Sequence, residues 1–149
     1  MYSSFLIWIF KFRVSFFTTG NHNAAVGYGA LRLNTTGERN SAFGRDALDS
    51  NTTGGDNVAV GMHALGLNTT SSDNTAVGRS ALANNTAANN TAVGRSALAL
   101  NTTGASNVAV GTSSLDANTT GDDNVAVGRL ALTTNTTGSA NVAIGRDAL

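Results

Sequence analysis

One motif recurs along most of this chain at a near-constant interval, and it limits the fold more than any other feature. Copies of Asn-x-Ala-Val-Gly-x-x-Ala-Leu start at Asn23, Asn40, Asn57, Asn74, Asn90, Asn107, Asn124 and Asn141, in steps of 17, 17, 17, 16, 17, 17 and 17 residues. The glycines form a column at Gly27, Gly44, Gly61, Gly78, Gly94, Gly111, Gly128 and Gly145. The leucines form another at Leu31, Leu48, Leu65, Leu82, Leu98, Leu115, Leu132 and Leu149. Asn-Thr-Thr-Gly turns separate the copies, as at Asn34 to Gly37 and Asn101 to Gly104. The single short step falls where that turn reads Asn84-Asn85-Thr86-Ala87-Ala88. A deletion confined to a turn is what a stack of coils tolerates.

A unit this short, with one or two glycines and several Asn and Thr residues, is a poor helix. Val58 and Val60, or Val108 and Val110, flank a central alanine with the period-two spacing of a short strand. Ala47-Leu48 and Ala131-Leu132 are read as a second short strand across a turn. The Asn-Thr-Thr-Gly segments carry residues that turns favour, because Asn and Gly accept positive φ and Asn side chains bond nearby backbone. No copy can bury its own apolar face, so the copies must stack. The expected fold is all-β: a parallel β-solenoid of about eight 17-residue coils, each bonded to the next at about 4.8 Å. Like residues then align, and asparagines in a turn column are expected to pair their amides.

Two large aliphatics per coil make a thin core, so burial between chains is expected to supplement it. The alanine column (Ala25, Ala42, Ala59, Ala76, Ala92, Ala109, Ala126, Ala143) is a candidate surface, small enough for a second backbone to approach. The alternative places these alanines against a tight turn or solvent.

Composition removes several function classes. The chain has 149 residues, nine basic and nine acidic groups, and 12 % charged residues. That balance argues against a nucleic-acid binder. With no cysteine there is no disulfide framework, thiolate zinc site or cysteine nucleophile. His22 and His63 occupy different repeat positions, so no histidine column exists to ligate a metal. Asp56, Asp73 and Asp123 precede repeat asparagines, and Asp46 and Asp147 follow repeat arginines, which is not the one-aspartate-per-copy pattern of a calcium-binding solenoid. The glycines recur at solenoid spacing, which accounts for them without a phosphate loop. No carboxylate pair or nucleophile-base set stands out, so no catalytic residue, cofactor, metal or small-molecule substrate is expected. Arg45, Arg79, Arg95, Arg129 and Arg146 form an interrupted exposed column, either a solvated face or a ligand-binding stripe. Asn-x-Thr sequons at Asn34, Asn51, Asn68, Asn101, Asn118 and Asn135 are read as turn chemistry before they are read as glycan acceptors.

The chain divides into residues 1–19 and a repeat domain over 20–149. The first segment holds seven of the nine aromatics, Tyr2, Phe5, Trp8, Phe10, Phe12, Phe16 and Phe17. Phe10, Phe12, Val14 and Phe16 alternate with Lys11, Arg13 and Ser15, which suits an amphipathic cap over an open coil edge. A segment foreign to the repeat protein is the competing reading. A secretory signal fits less well, since the basic residues follow the short apolar run, and the run is too short for a membrane-spanning helix. The last residue, Leu149, falls within a repeat, so the sequence is expected to be a piece of a longer fibre.

Asn-Thr-Ala-Val-Gly-Arg-Ser-Ala-Leu, at Asn74–Leu82 and again at Asn90–Leu98, resembles the head repeat of trimeric autotransporter adhesins, to which phage tail-fibre repeats are related. The resemblance covers roughly residues 21–149. It implies a left-handed parallel β-roll, three chains around an axis, and binding to extracellular matrix or host surfaces. This chain departs from the family in its longer step and inserted Asn-Thr-Thr-Gly turn, and it shows no stalk or anchor barrel. The leading expectation is a non-enzymatic, homotrimeric adhesive fibre segment at the cell surface or outer membrane, with no nucleic-acid partner. A virion tail fibre is the runner-up. An ice-binding face on the threonine column (Thr35, Thr52, Thr69, Thr86, Thr102, Thr119, Thr136) is disfavoured, because adjacent Thr-Thr pairs point to opposite faces of a strand.

Overall fold

The computed structural model describes residues 19–149, so the aromatic-rich segment up to residue 18, with the cap, foreign-segment and signal readings of it, lies outside the described residues. Eight three-residue strands recur at the repeat interval: β1 (Ala24–Val26), β2 (Ser41–Phe43), β3 (Val58–Val60), β4 (Thr75–Val77), β5 (Thr91–Val93), β6 (Val108–Val110), β7 (Val125–Val127) and β8 (Val142–Ile144). They pair in parallel in chain order as one eight-stranded sheet, and none of the described residues is helical. The register never slips: Ala59 pairs with Ala76 and Val60 with Val77. The 16-residue step is absorbed in the turn, and Val77 still pairs with Val93. The chain is a parallel β-solenoid.

Each coil turns at left-handed corners. In the third coil these are His63 (φ 58), Leu65 (φ 50) and, before the next strand, Asp73 (φ 61). Non-glycine residues visit this region rarely, Asn, Asp and His more than most. That preference explains why Asp46, Asp56, Asp73, Asp123 and Asp147 all stand at corners. It is a backbone reason for the aspartates and needs no calcium. The leucine corner is the strained one. Leu48, Leu65, Leu82, Leu98 and Leu115 have φ of 50–52° and are fully buried, so core burial offsets a backbone cost of about 1–3 kcal/mol each.

The expected second strand at Ala-Leu is therefore a turn. The left-handed leucine bends the chain and swings its side chain inward. Inter-coil bonding nonetheless continues there, with Leu48 N–H donating to Ala64 O at 3.0 Å and Leu65 N–H to Ala81 O at 3.0 Å.

The strand alanines also differ from expectation, in the sense of their facing. Ala42, Ala59, Ala76, Ala92, Ala109 and Ala126 are fully buried inside the coil, and the flanking strand residues point outward. The alanine column is thus core, neither an inter-chain surface nor a solvent face. The physical reason is what shares the interior: in the third coil Asn57, Ala59, Ala64, Leu65 and Asn68 are all fully buried, so the inward strand position holds a methyl group and no more. Along the rod, an added Cβ at Gly61 (φ +128) would lie 2.7 Å from the peptide carbonyl of Gly78, so successive coils touch backbone to backbone there.

Polar ladders fill the rest of the interior. At every repeat asparagine, the side-chain Oδ1 accepts the backbone N–H of the asparagine one coil on, from Asn23–Asn40 at 2.9 Å to Asn124–Asn141 at 3.0 Å. In the turn column, Asn51 Nδ2 donates to Asn34 Oδ1 at 2.8 Å and Asn118 Nδ2 to Asn101 Oδ1 at 2.9 Å. The same amides close their own turns, as Asn51 Nδ2 to Gly54 O at 3.0 Å. No buried side-chain nitrogen or oxygen among the described residues lacks a partner, the condition under which a polar core stabilises instead of costing.

Candidate functional site

With the interior filled, any chemistry toward a partner resides on the outer files. The largest is apolar. One line runs Val26, Phe43, Val60, Val77, Val93, Val110, Val127 and Ile144, and a parallel line two residues earlier includes Val58, Val108, Val125 and Val142. Residues two apart on a strand share a face, so both lines lie on the outside of the one eight-stranded sheet. Phe43 is 41 % exposed, Val60 38 % and Val110 37 %. An apolar strip of this kind differs from singly scattered exposed aliphatics, which are ordinary on a protein surface. Its sequence signal is the β-branched residues on both sides of the alanine in six of the eight strands, but alternation alone does not say which side is inside.

The arginine column is exposed along its whole length, at Arg45, Arg79, Arg95, Arg129 and Arg146. Inter-coil backbone bonds fix it in line: Ser96 N–H donates to Arg79 O and Ser113 N–H to Arg95 O, both at 2.9 Å. Arg45 and Arg146 pair with their neighbours Asp46 and Asp147, each at 3.0 Å. Arg32 grips Asp49 one coil on through two bonds of 2.7 and 2.9 Å. Arg39 grips Asp56 in the same way at 2.6 and 2.9 Å. These hydrogen bonds raise the pKa of both guanidinium groups, and that from Arg39 holds the Asp56 carboxyl below its usual range. The four arginines are exposed while Asp46 and Asp49 are partly buried, and pairs this open to solvent contribute little to stability.

The glycine and leucine columns are structural. The threonine file is exposed or half-buried, yet five of its seven hydroxyls are occupied: those of Thr35, Thr52, Thr86, Thr102 and Thr119 each donate to the threonine carbonyl one coil on, at 2.9 or 3.0 Å. The sequon asparagines Asn51, Asn68, Asn101 and Asn118 are fully buried. Both Nδ2 protons of Asn118 are engaged, by Asn101 Oδ1 and by Gly121 O at 2.9 Å. A glycan on these nitrogens is incompatible with the stacked coil.

An open groove of about 550 Å³ lies along Asp46, Asp49, His63, Leu67, Ser80 and Asn84. His63 Nε2 lies 3.9 Å from Asp46 Oδ2, but Arg45 holds Asp46 and Arg32 holds Asp49. His22 lies in a different corner file from His63, and among the described residues no three His, Asp or Glu side chains are grouped to hold a metal. No protein-family model, no curated protein and no solved structure matches this chain, so what it does has to be read from its stacked files.

Proposed function

We propose that this chain is a segment of a non-enzymatic, extracellular surface fibre that adheres to host or matrix surfaces and assembles as a homotrimer through its outward valine face. The observation that carries this reading is the unbroken register of seven successive strand pairings, which repeats each outer side chain at every coil. A rigid rod with repeated weak contacts gains avidity by about 10²–10⁴ over one contact, without any single strong site. The apolar strip supports the assembly half. A solitary rod would leave it in water, and parallel rods around an axis would cover it. The occupied threonine hydroxyls weigh against an ice-templating face.

Adhesion is tested by coating beads with the full chain and counting their retention on collagen, laminin, fibronectin and cultured epithelial cells, against albumin-coated beads. Retention on at least one surface is expected. Retention no greater than that of albumin on all of them overturns the adhesive reading, and a folded monomer by light scattering overturns the assembly.

A further inference from the structure

Four of the seven described arginines hold a carboxylate: Arg32, Arg39, Arg45 and Arg146. Arg79, Arg95 and Arg129 pair with none among the described residues, although they stand in the same file as Arg45 and Arg146. The difference lies in the following corner residue. It is aspartate after Arg45 and Arg146, but Ser80, Ser96 and Leu130 after the other three. Arg79 and Arg95 are on adjacent coils, about 4.8 Å apart along the rod, and Arg129 lies two coils further. Like charges directly opposite on neighbouring strands are destabilising, and elsewhere this chain relieves its arginines with acids. Here it keeps them bare, exposed and fixed in line by inter-coil backbone bonds.

We propose that Arg79, Arg95 and Arg129 form a binding stripe for a linear sulfated polysaccharide lying along the rod. The proposal rests on the adhesive reading above only in placing the file outside the cell. Guanidinium groups match the oxygens of sulfate and carboxylate with paired N–H donors. A polysaccharide advances by about one coil spacing per sugar ring, so anions on successive or alternate rings meet arginines on successive or alternate coils. Ser80 and Ser96 place hydroxyls beside the file, within the chemistry of sugar hydroxyls.

Nucleic acid fits less well. No Phe, Tyr or Trp occurs beyond Phe43, so the stretch offers no stacking platform for bases. Duplex DNA carries a charge every ~1.7 Å, far denser than this file. An anionic bilayer presents a plane of charge, to which one line of three cations on a chain of balanced charge is poorly matched.

The test is binding of the full chain to immobilised heparin over a salt series, with desulfated heparin, single-stranded oligodeoxythymidine and phosphatidylserine vesicles as the other probes. Wild type is expected to prefer heparin. The triple variant Arg79→Ser, Arg95→Ser, Arg129→Ser is expected to bind it about tenfold or more weakly, with the salt slope reduced by about three. Arg32→Ser, outside the file, is expected to stay within about twofold, since an exposed pair of this kind contributes little to the fold. Unchanged circular-dichroism melting of the triple variant assigns the loss to binding. Equal heparin affinity of triple variant and wild type, equal affinity for desulfated heparin, or tighter binding to the oligonucleotide or vesicles overturns the proposal. Bead adhesion without heparin binding overturns the glycan assignment alone, and heparin binding without bead adhesion overturns the adhesive reading alone.

Discussion

Asn107 Oδ1 accepts two donors from Asn124, its backbone N–H at 3.0 Å and its Nδ2 at 3.1 Å, while Asn107 Nδ2 donates to Gly121 O at 2.8 Å. One side chain thus ties its own coil to the next at three points, all out of water. Asn107→Leu keeps the size and removes every partner. Each buried orphan costs about 1–3 kcal/mol, so thermal or urea unfolding should show a loss of at least about 3 kcal/mol. A loss under about 1 kcal/mol would mean that the ladder is an ornament of stacking and not a cause of it.

Glycine placement makes a sharper comparison. At Gly111 (φ +136) an added Cβ would lie 2.5 Å from Gly128 O, whereas at Gly145 (φ +123) nothing lies within 4 Å. Gly145→Ala should cost only the strained φ, about 1–3 kcal/mol. Gly111→Ala adds the collision and has to pry two coils apart. Its melting temperature should fall well below that of Gly145→Ala, and equal melting temperatures would show that the close backbone approach of Gly111 to Gly128 does not constrain the stack.

The facing of β5 and β6 can be reversed on paper and tested at the bench. Val93 and Val110 point outward, whereas Ala92 and Ala109 are fully buried. Val93→Lys with Val110→Lys should leave a folded chain whose mass by light scattering falls to that of one protomer. Ala92→Val, milder chemically, should destabilise by about 1–3 kcal/mol through overpacking. If the lysine pair unfolds the chain and the valine does not, the faces have been assigned backwards.

The hydrogen bond from Arg39 is the largest cause that lowers the Asp56 pKa, desolvation opposes it, and the Arg39 charge adds to the lowering. A carboxyl depressed in the folded state stabilises it above the unfolded pKa, about 3.9. That contribution disappears as pH falls through the folded value. Asp56→Asn keeps a residue suited to the left-handed corner and removes the charge. Melting temperature against pH should therefore show wild type and variant converging below pH ~4, with a gap above it that shrinks in added salt. A gap that widens on acidification would show that the pair does not form in solution.

Stacking and register could be read from spacing alone. A repeat that returns Asn, Val, Gly and Leu at a fixed interval can satisfy all of them only by piling like on like, and the pairing of Val60 with Val77 is that consequence. The Asn34–Asn51–Asn68 ladder was legible for the same reason, since amides in one column are both donors and acceptors. Ala47-Leu48 reads as a strand and is a turn, because a leucine corner has no residue signature. Leu48 holds its left-handed φ of 50° through burial, which local sequence does not record.

Alternation along β3 determined that Ala59 and its two valines face opposite ways. It carried no information on which way is in. That was decided by the enclosed volume, which Asn57, Ala64, Leu65 and Asn68 fill until the inward strand position has room for a methyl group. The sequence places an aspartate after Arg45 and serines after Arg79 and Arg95, and the tertiary structure showed that Asp46 closes on Arg45 at 3.0 Å while the other two arginines pair with no carboxylate among the described residues. Period is a property of the chain, but inside and outside are properties of the volume that the chain encloses.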